Sequence, residues 1–357
     1  RAPCPLRAPR SIRLIPFLVT GTKIRRKPEL GAKIVLCFPS MGALRYNFDL
    51  IFANLLFGAN FSFYVSLTRN YLDFQQIFML QVLAASIFFI PFALFSKRSY
   101  RIPLRDFGNI LIVTVLIVYG WMFMLLWGAS YTSPIDASTI STLGPVFTIL
   151  TGHFLLREKN ITWARRIGVV LGFAGAAFLL FDKGFRLAPG SSGLGNALVL
   201  VAVVAIAVNT VIIKPQLQRY GTLVVMGWYY IIGLLITAPF FWKYIADTDF
   251  MRLPLSGQAE LAYVLVLGTV LPMYLLYRGT EKLTFIHTAL YRYIQPVVAT
   301  VLALVRHQEQ IDRTNIIAGV LIFASIILVI REANLRGFFS SVQAPSPTPD
   351  GRSRKRP

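Results

Sequence analysis

TSPIDASTISTLGPVFTILTGHFLLREK, residues 132–159, is apolar enough to lie in a bilayer, yet it carries a row of hydroxyls, two acids and two prolines. At 100° per residue a helix built from it gathers Ser138, Ser141, Thr142, Pro145, Thr148 and Gly152 on one arc. A polar stripe on an apolar helix has to face protein or water rather than lipid. The length therefore reads as a membrane span, and the stripe as one wall of an interior site.

Composition extends that reading to the whole chain. Of 357 residues, 55% are hydrophobic and only 14% charged, with a mean hydropathy of +0.62, far more apolar than a soluble globular protein. Windows of roughly 17–25 residues, the length a helix needs to cross a hydrocarbon core, recur near 50–68, 74–95, 108–127, 134–156, 164–181, 195–213, 222–242, 259–277, 285–305 and 314–330. The expected fold class is an all-α polytopic membrane protein of about ten transmembrane helices.

The opening stretch also has a partner further along the chain. Shifted by 151 residues, Gly128 meets Gly279, Pro145 meets Pro296, Val146 meets Val297, Glu158 meets Glu309 and Gly168 meets Gly319. A shift of 149 brings Asn60 onto Asn209 and Tyr71 onto Tyr220. These offsets divide the chain into two five-helix repeats, 41–182 and 183–331, and an odd helix count makes the second copy cross the membrane in the opposite sense. Inverted repeats of this kind recur in secondary transporters, with the substrate site near the midplane between the halves.

The flanks read as lying outside this core. Residues 1–40, before the first methionine at Met41, are rich in Pro and Arg and read as a non-native or disordered leader; a signal peptide is the rival, opposed by the short apolar piece that Pro16 interrupts. Both cysteines, Cys4 and Cys37, fall there, so thiol chemistry and Cys metal sites drop out of the core. Residues 332–357 read as a disordered basic tail. Much of the net charge of +21 sits at these two ends, and the terminal basic cluster is short and lacks interleaved aromatics, which argues against nucleic acid as a partner. Between the spans, twelve Lys and Arg fall on the side of the N-terminus and seven on the other. That bias favours both termini on the cytoplasmic side.

GASYTSPIDASTISTLGPVFTILTGHFLLREKNITWARRIGVVLGFAGAAFLLF resembles the signature of EamA-type members of the drug/metabolite transporter superfamily: a small-residue helix with Pro-Val-Phe-Thr, a Glu at the membrane edge, then a Gly-rich helix. YRYIQPVVATVLALVRHQEQ in the second half is similar but more divergent. The resemblance covers about residues 45 to 331 and implies ten helices in two inverted halves, a central cavity and alternating access. It says almost nothing of the substrate. The first helix departs from the related small multidrug resistance proteins, since LIFANLLFGANFSFYVSLT holds no carboxylate for proton exchange.

The second-half counterpart of the opening helix holds the one prominent intramembrane charge. His287, Thr288, Tyr291, Arg292 and Gln295 share an arc if the helix is regular, and the shift of 151 sets Ser141 opposite Arg292 and Asp136 opposite His287. On the functional reading, Arg292 binds an anionic group of the substrate through its fork of donors, with Tyr291, Gln295 and His287 beside it and Ser141 on the facing wall. On the alternative, Arg292 pairs internally with Asp136 or reaches for the interface. Asn60 and Asn209 either line the cavity or bond to a neighbouring helix. Pro145 and Pro296 are hinge candidates, because proline removes a backbone donor and frees a carbonyl. Glu158 and Glu309 read as helix caps or local pairs. Gly168-x-x-x-Gly172 packs helices inside the fold or supports a homodimer.

These patterns predict an inner-membrane permease, an exporter, of a small amphipathic metabolite that is amino-acid-like or otherwise anionic. The alternatives are a cationic-drug exporter and a membrane scaffold or receptor. A membrane-embedded enzyme would need clustered acids or a nucleophile with its base; no DxxD, HExxH or G-x-S-x-G occurs, so no catalytic residue, metal or cofactor is expected. The expected partners are a small-molecule substrate and the lipid bilayer.

Overall fold

A computed structural model describes residues 41–95, 104–156, 190–246, 248 and 252–309, with scattered positions between 167 and 178 and between 313 and 324. The leader, the basic tail and Glu158 lie outside the described residues. Those that are described fall within one compact unit, Leu36–Phe338.

Every regular element among them is helical. Helix α1 is Met41–Asn70 and α2 is Phe74–Phe95. The third span opens as α3 (Leu104–Thr114), widens into a π-helix over Val115–Phe123 and closes as α4 (Met124–Ala129). The fourth is broken into α5 (Pro134–Ser141) and α6 (Gly144–Leu156). In the second half, α7 is Ser192–Tyr220 and α8 is Thr222–Ala246. The next span repeats the design of the third: α9 (Leu255–Ala262), a π-helix over Tyr263–Val270, then α10 (Leu271–Lys282). The span after it, like the fourth, is interrupted: α11 (Phe285–Leu290), a 3-10 turn at Tyr291–Tyr293, then α12 (Ile294–Val305). The scattered positions in the two remaining windows are helical as well. Seven spans among the described residues are long and apolar enough to cross a membrane.

Local chemistry explains the boundaries. Ser133 accepts from the Asp136 N–H at 3.1 Å and Pro134 occupies the first helical position, so α5 starts with a side-chain cap and no wasted donor. Gly221, at φ 85°, ends α7 in a conformation that costs other residues strain and lets α8 begin at once. Both interruptions sit just before the repeat-related prolines. Without an N–H, Pro145 and Pro296 cannot bond the carbonyls of Ser141 and Arg292 four residues earlier, and each ring crowds that carbonyl.

The repeat is visible in the packing. Each half lays its third span against the first helix of the other half: α4 against α7, and α10 against α1. At the first crossing a Cβ on Gly128 would fall 2.8 Å from Val199 Cγ2; at the second, one on Gly279 would fall 2.5 Å from Leu50 Cδ2. Gly128 and Gly279 are mates at a shift of 151, and Leu50 and Val199 at 149. The same glycine-on-aliphatic contact thus recurs in both halves, as small residues permit between membrane helices. Around the outside, Phe48, Ile87, Ile112, Leu235, Val266 and Val301 are exposed, an apolar surface that suits lipid rather than water. In the fifth window Gly168, Gly172 and Gly175 are buried within the chain itself, in keeping with internal packing.

Candidate functional site

The swapped crossings leave a central cavity lined by residues from both halves. Helix α1 supplies one wall as a stripe, Asn54, Phe57, Asn60, Phe61 and Tyr64, spaced at roughly one residue per helical turn. Trp121, from the first π-helix, meets Phe57 edge-on with ring centroids 5.6 Å apart. Ser141 comes from the last turn of α5, Arg292 from the 3-10 turn and Gln295 from α12. Leu125, Val203 and Leu276 add apolar surface.

The neutral polar groups are engaged within the protein. Gln295 Nε2 donates to Asn54 Oδ1 at 2.7 Å, and Asn54 Nδ2 donates to the Leu50 carbonyl at 2.7 Å. Asn60 Nδ2 donates to the Gly268 carbonyl in the second π-helix at 3.1 Å, while its Oδ1 is buried without a partner. Ser141 Oγ turns back to the Ala137 carbonyl at 2.8 Å. Arg292 differs. It is 6% exposed, lines the cavity, and has no hydrogen bond or ion pair among the described residues.

What makes room for Arg292 is a glycine. A Cβ on Gly144, the first residue of α6, would lie 3.1 Å from Arg292 Cδ and 3.4 Å from Nη1, so the side chain runs across the break between α5 and α6. The alternative pairing with Asp136 is not formed: Asp136 Oδ1 accepts from Asn315 Nδ2 at 2.7 Å.

Four of the sequence candidates, Asn60, Ser141, Arg292 and Gln295, meet at this cavity. Asn209 does not; it is fully buried and donates from Nδ2 to the Tyr277 hydroxyl at 2.8 Å, a helix-packing bond. Tyr291 is half-buried against the core and is not part of the cavity wall. The expected arc assumed 100° per residue, whereas the 3-10 turn winds by about 120° and carries Tyr291 away from Arg292 and Gln295. His287 lies in α11, and its side chain is outside the described residues. Glu309 Oε2 accepts from the Ile135 N–H at 3.2 Å, which makes it a cap for the first turn of α5.

Sequence reasoning missed Asn54, although it precedes Asn60 on the cavity stripe of α1. Two of the charges counted between the spans, Arg278 and Arg306, are tied to buried carboxylates. Arg278 Nε and Nη2 grip the two oxygens of Asp49 at 2.7 and 2.6 Å, near the Met41 end of α1. Toward the Asn70 end, Arg306 pairs with Glu260 and donates to Ser62 and Ser66 at 3.3 Å. Asp49 and Glu260 are each 8% exposed, so both pairs hold their carboxylates largely out of solvent.

The sequence model of the EamA-like transporter family matches the chain twice, over residues 46–181 and 193–331. The chain belongs to the EamA-like transporter family. Its two matched segments correspond to the two halves that share the glycine crossings and interrupted spans. This EamA-like transporter is 23% identical over 253 residues to the uncharacterized transporter YetK of Bacillus subtilis (strain 168), covering 70% of this chain and 76% of that one. It is 22% identical over 246 residues to a protein of Rickettsia bellii (strain RML369-C) named as an S-adenosylmethionine uptake transporter, covering 69% and 80%. A protein of Streptantibioticus cattleyicolor named "Probable terminal-alkyne amino-acid exporter" is 25% identical over 227 residues, covering 64% and 74%. A crystal structure described only as that of a protein shares the fold, with a TM-score of 0.58 at 19% identity over 83% of this chain and 98% of its own. The protein is a multi-pass membrane transporter, and its partners are a small-molecule substrate and the bilayer.

Proposed function

We propose that this EamA-like transporter moves a small amphipathic metabolite bearing a carboxylate, amino-acid-like in its head group, by alternating access through the central cavity. The observation that carries the reading is the buried Arg292, which faces the cavity with no carboxylate partner among the described residues. A guanidinium held out of water without a counter-ion is costly, and a carboxylate matches its fork. The aromatic stripe of α1 with Trp121 provides an apolar bed for the rest of the molecule. Two relatives bear names that refer to compounds with an amino-carboxylate group, S-adenosylmethionine and a terminal-alkyne amino acid.

On this proposal the protein lies in the inner membrane with both termini cytoplasmic, and the repeats are 41–182 and 183–331. No Asp, Glu or His lines the cavity among the described residues, so net flux is expected to follow the metabolite's own gradient. For a compound made inside the cell, that direction is export. Asn60, Ser141 and Gln295 shape the site around Arg292, and the breaks before Pro145 and Pro296 serve as the hinges.

The test is the extracellular metabolite profile of cells producing the chain from Met41, against cells carrying an empty vector. Accumulation outside of a carboxylate-bearing metabolite supports the reading. Accumulation of cationic compounds alone would overturn it in favour of a cationic-drug exporter.

A further inference from the structure

Arg292 lies beside the positive end of a helix. α6 begins inside the protein at Gly144, with Gly144, Pro145 and Val146 all buried. The first turn of a helix has backbone N–H groups with no acceptor within the helix. Here Pro145 has none to offer, and the Phe147 N–H is taken by the Leu143 carbonyl at 3.0 Å. The N–H groups of Gly144 and Val146 remain, with no acceptor among the described residues. A cation and a helix N-terminus therefore meet at one buried spot, and neither is neutralised by the protein. An anion would satisfy both.

We infer that the first turn of α6 is the second half of the anion site: the substrate's carboxylate is held between the Arg292 guanidinium and the N–H groups of Gly144 and Val146, and glycine at 144 leaves the room for Arg292 to reach them. This rests on the carboxylate reading above and adds to it where the group sits and what charge it carries. Arg292 is the sole charged side chain lining the cavity among the described residues, so the site matches a monoanion rather than a dianion such as a phosphate monoester. A Cβ at 144 would lie 3.1 Å from Arg292 Cδ and would push the arginine side chain aside by a few tenths of an ångström.

The repeat shows why the two halves diverged at these positions. At a shift of 151 the mate of Arg292 is Ser141, and the mate of Gly144 is Gln295. A second arginine at 141 would set two like charges in one cavity, and a second long side chain at 144 would block the first. One half supplies the side-chain cation, and the other the backbone donors with the space to reach them.

The purified full chain in detergent tests this with 4-phenylbutyrate as probe and 4-phenylbutanamide, which lacks the charge, as its control. The readout is the rise in thermal midpoint with probe concentration. The acid is expected to stabilise the parent protein and the amide is not, and Arg292→Ala is expected to abolish the response. Gly144→Ala is expected to weaken the apparent affinity for the acid roughly tenfold, the scale of one charge-assisted hydrogen bond. Replacing Val146 by α-hydroxyisovalerate, which exchanges that N–H for an ester oxygen and keeps the side chain, is expected to do the same, and it covers the case in which Gly144→Ala does not fold. Parent-like affinity in the ester variant, with the response lost in Arg292→Ala, overturns this inference and leaves the carboxylate reading standing. A parent that responds to acid and amide alike overturns both.

Discussion

Arg278 holds both carboxylate oxygens of Asp49, 2.6 and 2.7 Å away, and so ties α10 to α1 near the Met41 end of the cavity. At the other end of the same long span, Glu260 is tied to Arg306. One long span is thus latched to its neighbours at both ends, and in the proposed alternating-access cycle one latch would open at a time.

Breaking the first latch should therefore bias the protein toward opening at the Met41 end. The pair is partly buried, with side-chain exposures of 21% and 10%, so Asp49→Asn is expected to cost about 2 kcal/mol, between exposed and fully buried pairs. The check is the rate of maleimide labelling of a cysteine placed at Ser141. With the Met41 end cytoplasmic, as proposed, labelling from the cytoplasmic side should rise several-fold, and the exchange Asp49→Arg with Arg278→Asp should lower it again.

Glu260→Gln should do the reverse. It leaves Arg306 with Ser62 and Ser66, at 3.3 Å each, and the Phe63 ring at 4.7 Å, but without a counter-charge, and loosens the Asn70 end. Labelling of the same cysteine from outside the cell should increase, with little change from the cytoplasmic side.

Repeat mates need not cost the same when mutated. Gly279→Ala meets the side chain of Leu50, Cδ2 at 2.5 Å and Cγ at 2.7 Å, whereas Gly128→Ala also meets the backbone oxygen of Gly195 at 2.7 Å. Overpacking against a side chain that can give way is expected to cost about 1 kcal/mol, and against fixed backbone about 3 kcal/mol. Thermal midpoints in detergent should fall in that order; equal losses would show that the two crossings are equally tight.

Much of this architecture could be read from the chain before any coordinates. Apolar length located every described span, and the offset of 151 paired the glycines that turned out to sit at equivalent crossings. The polar stripe around Arg292 pointed to the cavity, since a charge has few other places to be within a bilayer. What escaped was whatever depended on helices departing from regularity. The 3-10 turn moved Tyr291 off the site, and neither π-helix has a signature in residue type. The ion pairs escaped for another reason: Asp49 and Arg278 are 229 positions apart, and no local pattern links them.

Gln295 and Asn54 provide a test of the cavity's polar frame. Removing Asn54 leaves the Gln295 amide without its 2.7 Å acceptor. Asn54→Leu and Gln295→Leu are each expected to raise the substrate KM, and the double variant to be less impaired than their sum by about 1 kcal/mol of coupling. Strict additivity would place the two residues in separate roles.

The most direct test of the central claim compares the parent protein with Arg292→Ala at matched membrane levels, measuring the extracellular concentration of the carboxylate metabolite that the parent exports. Loss of one hydrogen-bonded charge contact of about 2–3 kcal/mol corresponds to a fall of at least tenfold in transport at subsaturating substrate, and that is the result expected. Equal export by the two proteins would show that Arg292 does not hold the substrate's anionic group.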